Sequence, residues 1–248
     1  MAVASKRAAI NMRRYFLLSA LLSCSEFSLE DSDETVVNPM TVEESFLHQN
    51  EPSVDILFVI DDTASMRTEH LMLQEQLPIF VETLRGSSTS WHIGAITTDI
   101  NSEDSAVLRG DPWVLTNDDP PTNIQSMIDV GTDGQQPEAG LTSSLLALSP
   151  PLIHGVNRGF RRPDAALHII ILSDGDDHSD EHLNLNAGNA LLAFLDEQSA
   201  ESGEHSRLSA LVGPSPNGCT SASGTALAGT QYIETALASE GFVGSICN

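Results

Sequence analysis

The segment Ile56-Leu57-Phe58-Val59-Ile60 is a short apolar run, rich in β-branched and aromatic side chains, that does not alternate with polar ones. A strand with both faces covered in a parallel sheet needs such a run. It ends in Asp61-Asp62-Thr63-Ala64-Ser65-Met66, which puts a carboxylate and two hydroxyls at every second position as the chain leaves the strand. A second run, Ala166-Leu167-His168-Ile169-Ile170-Ile171-Leu172, ends similarly in Ser173-Asp174-Gly175-Asp176-Asp177. If the two strands are parallel neighbours, both acidic ends emerge at the sheet edge where open α/β sheets bind ligands. Oxygen donors alone suit a hard cation such as Mg²⁺, Ca²⁺ or Mn²⁺. A helix N-cap at Asp61 or Thr63, or an acidic turn with Gly175 at positive φ, explains either end singly but not the matching pair.

Strands and helices alternate along the rest of the chain. Residues 71–84 place Leu71, Leu73, Leu77, Ile79, Phe80 and Leu84 at broadly helical spacing, with an interruption at Pro78. Residues 91–99 predict a second strand, and residues 106–108 and 113–115 a short edge hairpin around Gly110-Asp111. Helices are expected over 124–130, 138–148, 187–198 and 231–238, and another strand over 208–212. This alternation predicts an α/β fold, a doubly wound, mostly parallel sheet with helices on both faces.

The spacing Asp61-x-Thr63-x-Ser65-Met66 after Val54-Asp55-Ile56-Leu57-Phe58-Val59-Ile60 resembles the metal-ion-dependent adhesion site of von Willebrand factor type A domains. In that family Asp-x-Ser-x-Ser is completed by a threonine from a second loop and an aspartate from a third. Thr63 departs from the pattern but keeps the oxygen, and Asp174 matches the third-loop aspartate. For the second loop the resemblance points to Thr132, in Val130-Gly131-Thr132-Asp133-Gly134. The family's Gly-Thr usually lies closer to the next helix, and here Gln135-Gln136-Pro137 intervene, which leaves Glu138 or a water as the alternative. The resemblance thus implies a metal set of Asp61, Thr63, Ser65, Thr132 and Asp174, holding Mg²⁺ (or Ca²⁺ or Mn²⁺). It also implies an open coordination position for an Asp or Glu carboxylate of a partner protein, and no catalysis. One direct carboxylate and two neutral hydroxyls leave a divalent ion under-neutralised, which favours an incoming anion.

Further stretches resemble type A domain lipoproteins of predatory and social Gram-negative, myxobacteria-like bacteria. They are Ser45-Phe46-Leu47-His48-Gln49, Ile93-Gly94-Ala95-Ile96-Thr97-Thr98-Asp99, and Gly159-Phe160-Arg161-Arg162 with Asp164. Leu211-Val212-Gly213-Pro214 with Gly218-Cys219, Gly229-Thr230-Gln231-Tyr232 and Gly244-Ser245-Ile246-Cys247 complete the match, over residues 45–247. Such proteins usually continue through another helix, whereas this sequence stops at Asn248, so the last helix of the fold could be missing.

Lys6, Arg7, Arg13 and Arg14 precede an apolar stretch, residues 15–22, that is too short to span a bilayer. These are the n-region and h-region of an export signal, and Met12 is an alternative start. Leu21-Leu22-Ser23-Cys24 resembles a bacterial lipobox, which implies cleavage before Cys24 and a lipid on it; a non-lipidated signal with a chance cysteine is the alternative. The chain therefore divides into a lipoprotein signal at 1–23, an acidic tether at 24–52, and a type A-like domain at 53–248. The expected address is the bacterial cell envelope, at the outer membrane. In an exported protein Cys219 and Cys247 are candidates for a disulfide, although both being free is also open.

Charge and composition narrow the remaining alternatives. Beyond the signal the chain keeps seven arginines and no lysine, against thirty-five Asp and Glu, so a phosphate backbone is repelled and no nucleic acid partner is expected. A phosphatase or phosphotransferase using Asp61 as nucleophile needs a second carboxylate two residues on, where Thr63 stands, and a basic group for the phosphoryl intermediate. Asp177, His178, Asp180 and His182 contain usable zinc ligands, but a solvated acidic loop explains them more simply. A structural envelope lipoprotein without a working metal site is the third alternative.

Overall fold

The computed structural model describes residues 52–183, 186–221 and 224–247. The expected signal segment, the lipidation residue Cys24 and nearly all of the tether lie outside the described residues, as does Asn248. The strands are β1 (Ser53–Ile60), β2 (Ser90–Thr97), β3 (Leu115–Thr116), β4 (Ala166–Leu172), β5 (Arg207–Val212), β6 (Cys219–Thr220), β7 (Thr225–Ala226) and β8 (Val243–Ser245). The helices are α1 (Arg67–Arg85), α2 (Ile124–Ile128), α3 (Gly140–Leu148), α4 (Ser179–Leu183), α5 (Ala187–Ser202) and α6 (Thr230–Ala238). One sheet runs in the order β3-β2-β1-β4-β5-β8. Every pairing in it is parallel except that of the edge strand β3 with β2. The fold is α/β with a mostly parallel sheet. Among the described residues no helix is long and apolar enough to cross a membrane.

Two cores explain why β1 is apolar without alternation. Leu57 and Val59 pack on one face with Leu141 of α3, Leu191 and Leu195 of α5, and Tyr232 of α6. Ile56, Phe58 and Ile60 pack on the other with Leu77 and Val81 of α1 and with Ile124, Met127 and Ile128 of α2. Successive side chains of a strand point to opposite faces, so a strand sandwiched between helices is apolar at every position.

α1 runs unbroken through Pro78, where the sequence predicts an interruption. A proline inside a helix costs about 3 kcal/mol through its missing N–H and its ring. Burial of Leu77 and Val81 on either side of it offsets a cost of that size, at about 1.5–3 kcal/mol per buried aliphatic side chain.

The expected edge hairpin is replaced by an irregular segment. Only Leu115–Thr116 forms a strand. The backbone around residues 106–108 is satisfied by the buried Asn157 side chain instead, which accepts from Leu108 N–H (3.0 Å) and donates to the Ala106 carbonyl (2.8 Å). β8, the β6–β7 pair and α4 are additions to the sequence reading.

His168, on β4, hydrogen-bonds Ser209 through Nε2 (2.8 Å). Burial, with the Arg207 charge second, pushes its imidazole down from 6.5 to about 4. The folded state therefore stays neutral at His168 while the unfolded chain takes up a proton. Its contribution to stability is complete above pH 6.5 and is lost as pH falls from there through about 4. Because the side chain is partly exposed, the loss is on the order of 2 kcal/mol. Urea unfolding of wild type and His168→Gln at pH 7 and pH 4.5 is expected to show the smaller acid loss in the variant; equal losses would refute it.

Candidate functional site

β1 and β4 are parallel neighbours, with Ile60 paired to Leu172, so the two acidic strand ends leave the sheet side by side. Asp61 N–H donates to the Leu172 carbonyl (2.9 Å), which ties the two exits together. Asp61 is fully buried. Its Oδ1 accepts from Thr63 N–H (2.9 Å) and Thr63 Oγ1 (2.7 Å), and its Oδ2 accepts from Ser173 Oγ (2.6 Å). Thr63 Oγ1 also bonds Ser65 Oγ (3.2 Å), and Ser65 Oγ donates to Asp174 Oδ1 (3.1 Å). Ser173, Asp61, Thr63, Ser65 and Asp174 thus form one continuous run of oxygens. Behind it, His70 Nε2 donates to the Asp61 carbonyl (2.7 Å), so α1 fixes the strand exit from below.

Hydrogen bonds therefore bring Asp61, Thr63, Ser65 and Asp174 together, and among the described residues none joins Thr132 to them. Thr132 is half-buried and makes no hydrogen bond among the described residues. The second loop instead delivers Glu138 to a cleft of about 530 Å³ that Ser65, Pro137, Asp174, His178 and Leu227 also line. Gly175 does not have the positive φ that an acidic turn predicts. Its role is clearance: a Cβ there would lie 3.1 Å from the Glu138 carboxyl.

Sequence reasoning missed Ser173 and His70 as members of this edge, and offered Glu138 only as an alternative to Thr132. Ser173 had a usable signal, since the hydroxyl before Asp174 belongs to the Ser-Asp-Gly strand end. His70 had none beyond its place one helical turn into α1.

The electrostatics are one-sided. Burial pushes the Asp174 carboxyl above its ordinary range, and the charges of Asp61 and Glu69 add to this while Ser65 opposes it. Burial likewise raises Glu138, with Asp61 and Asp174 adding. Asp62 rises to about 6, mainly through burial and then through Asp99 and Asp61, against its own backbone hydrogen bond and Arg109. Among the described residues, none of Asp61, Asp62, Glu138 and Asp174 has an ion pair. The buried oxygens Asp62 Oδ1 and Glu69 Oε2 have no hydrogen-bond partner among the described residues. Buried anions without counter-charge are costly, and a cation among them relieves that cost. Oxygen-only donors fit Mg²⁺ or Ca²⁺. Among the described residues no three His, Cys, Asp or Glu side chains form a metal cage by themselves, so the hydroxyls of Thr63 and Ser65 are integral to the fit.

The acidic loop after β4 is otherwise occupied. Asp177 accepts from Leu141 N–H (3.1 Å), Ser179 Oγ (3.0 Å) and Ser179 N–H (2.9 Å), anchoring the start of α3. Asp176 Oδ1 accepts from Asp177 N–H (2.9 Å) and Gln231 N–H (3.0 Å), beside the start of α6. His178 pairs with Glu181 (3.3 Å); the side chain of His182 lies outside the described residues. Elsewhere, Cys219 and Cys247 are joined in a disulfide with their Cα atoms 6.2 Å apart.

No protein-family description matches the chain, and no curated protein matches it. Among solved structures it is similar to a von Willebrand factor type A protein from Catenulispora acidiphila, at 18% identity and a TM-score of 0.45, over 80% of this chain and 39% of that one. It is also similar to proximal thread matrix protein 1 from the mussel byssus, at 13% identity and a TM-score of 0.44, over 79% of this chain and 42% of that one. The pilus adhesin SpaC from Lactobacillus rhamnosus GG aligns at 14% identity and a TM-score of 0.33, over 52% of this chain and 15% of that one. The chain spans about two-fifths of the length of the first two.

Proposed function

We propose that this chain is a cell-envelope protein whose α/β domain binds a divalent cation at Asp61, Thr63, Ser65 and Asp174 and uses it to hold another protein. The observation that carries the reading is the run of oxygens from Ser173 to Asp174 at the exits of β1 and β4, buried except at the exposed Ser65 and without an ion-pair partner among the described residues. Mg²⁺ is the expected ion, with Ca²⁺ or Mn²⁺ as substitutes. When bound, the cation supplies a positive centre to which an Asp or Glu carboxylate of the partner attaches. The chain's own residues provide oxygens, keep the strand exits rigid and leave a cleft open on the partner's side. No catalytic step is assigned, and phosphate release dependent on Asp61 is not expected. The export-signal pattern before Cys24 supports a lipid anchor at that residue and an address at the outer membrane. The Cys219–Cys247 disulfide suits an oxidising compartment.

Thermal unfolding with Mg²⁺ or Ca²⁺, against EDTA, tests the reading. Ligand at a hundredfold excess over its dissociation constant stabilises the folded state by about 2.7 kcal/mol. For a domain of this size that is a rise in melting temperature of about 5–10 °C. Asp61→Ala is expected to abolish the rise. A wild-type melting curve indifferent to both cations would remove the proposal.

A further inference from the structure

The second loop delivers a further carboxylate to a site that already holds Asp61 and Asp174. Glu138 is 4% exposed and lines the same cleft as Ser65 and Asp174. Its backbone is held from both sides: Ala139 N–H donates to the Thr98 carbonyl (3.1 Å), and the Glu138 carbonyl accepts from His178 N–H (2.8 Å). Gln136 Nε2 donates to Oε1 (3.3 Å). The carboxyl lies over Gly175, whose N–H donates to Ser173 Oγ (3.0 Å), and Ser173 Oγ donates to Asp61 Oδ2 (2.6 Å). One glycine and one hydroxyl therefore stand between the Glu138 carboxyl and Asp61. Among the described residues no three carboxylates converge as a cage, so Glu138 stands as a charged wall of the cleft.

We infer that Glu138 is the specificity-determining residue of this site, whose fixed charge retains the cation and opposes a carboxylate that approaches it. The inference rests on the cation-dependent reading above. Asp61 and Asp174 match the charge of a divalent ion, with Asp62 and Glu69 already buried beside them, so Glu138 adds one further negative charge to the excess. Two like charges facing one cleft at a protein surface change an affinity by about tenfold. The site therefore trades tightness toward the metal against tightness toward the partner, and the Glu138 carboxylate sets the balance.

The test uses Mg²⁺ alone and then acetate as the carboxylate probe. Mg²⁺ is titrated calorimetrically into wild type, Glu138→Gln and Glu138→Asp, and acetate into each protein saturated with Mg²⁺. Glu138→Gln is expected to bind Mg²⁺ about tenfold more weakly and acetate about tenfold more tightly, while Glu138→Asp follows wild type. Opposite shifts cannot come from a loosened fold, which weakens both. Mg²⁺ binding by wild type with both constants unchanged, or both weakened, in Glu138→Gln overturns this inference alone. Absence of Mg²⁺ binding by folded wild type overturns the underlying reading and this inference with it.

Discussion

Replacing Asp55 with alanine is expected to destabilise the domain by about 3–5 kcal/mol, the usual cost of removing one partner from a buried ion pair. Asp55 is fully buried near the start of β1. Its Oδ2 accepts from Arg161 Nη1 (2.9 Å) and Arg162 N–H (2.6 Å), and its Oδ1 from Arg162 Nε (2.8 Å). The arginine side chains are only 10% and 22% exposed, so neither charge escapes to solvent once the carboxylate is gone. The same guanidinium groups hold Gln198 Oε1 (2.8 Å), the Ala165 carbonyl (2.7 Å), Ser90 Oγ (2.8 Å) and the Val54 carbonyl (3.0 Å). Asp55→Asn keeps the shape while removing the charge and is expected to lose most of the same amount. The measurement is the urea midpoint at pH 7, and a loss below about 1 kcal/mol would place this pair among weak surface bridges. Because the cluster lies at the opposite end of β1 from Asp61, the variant that remains folded should still respond to Mg²⁺.

Reduction of the Cys219–Cys247 disulfide is the second large effect. The bond closes a loop with a sequence separation of 28, and the chain-entropy relation gives about 3.5 kcal/mol for a loop of that length. Within the loop lie β6, β7, α6 and β8, so its opening frees the edge strand of the sheet together with the helix that covers it. β8 has only three residues paired to β5 and is poorly able to hold its place alone. Calorimetry with and without a reductant should show a melting temperature lower by about 7–14 °C in the reduced protein. The double variant Cys219→Ala/Cys247→Ala should melt at the reduced value whether or not reductant is present. A reductant effect that persists in the double variant would contradict the assignment.

The parts of the fold and site that were legible share a physical cause. β1 and β4 were readable because a strand covered on both faces leaves a largely continuous apolar run in the local sequence, and β5 was readable from its short apolar stretch around Ser209. Asp61, Thr63, Ser65 and Asp174 were readable because each sits at a fixed step from the end of such a run. His70 and the Asp55–Arg161–Arg162 cluster were not, and Glu138 was legible only as an alternative to Thr132. Their roles depend on approaches between residues far apart in the chain, as with the 106 positions that separate Asp55 from Arg161. The hairpin expected over 106–115 failed for a related reason: one distant side chain, Asn157, satisfies the backbone that a strand pairing would otherwise claim. β8 escaped notice because Val243-Gly244-Ser245 is short and only half-buried, and its strand character comes from its neighbour β5.

β1 also has a mechanical meaning. The polypeptide enters the sheet at Ser53 and reaches the candidate site directly after Ile60, with Asp55 clamped at one end of the strand and Asp61 tied at the other. A tension applied between a tether preceding β1 and a partner gripped at Asp61 runs lengthwise along that single strand. Its parallel registers, eight residue pairs with β2 and seven with β4, hold the strand in place but lie outside that load path, which runs through covalent backbone. Under the proposed reading, tether and site would thus be joined by one stretch of covalent backbone, with no sheet pairing in series between them.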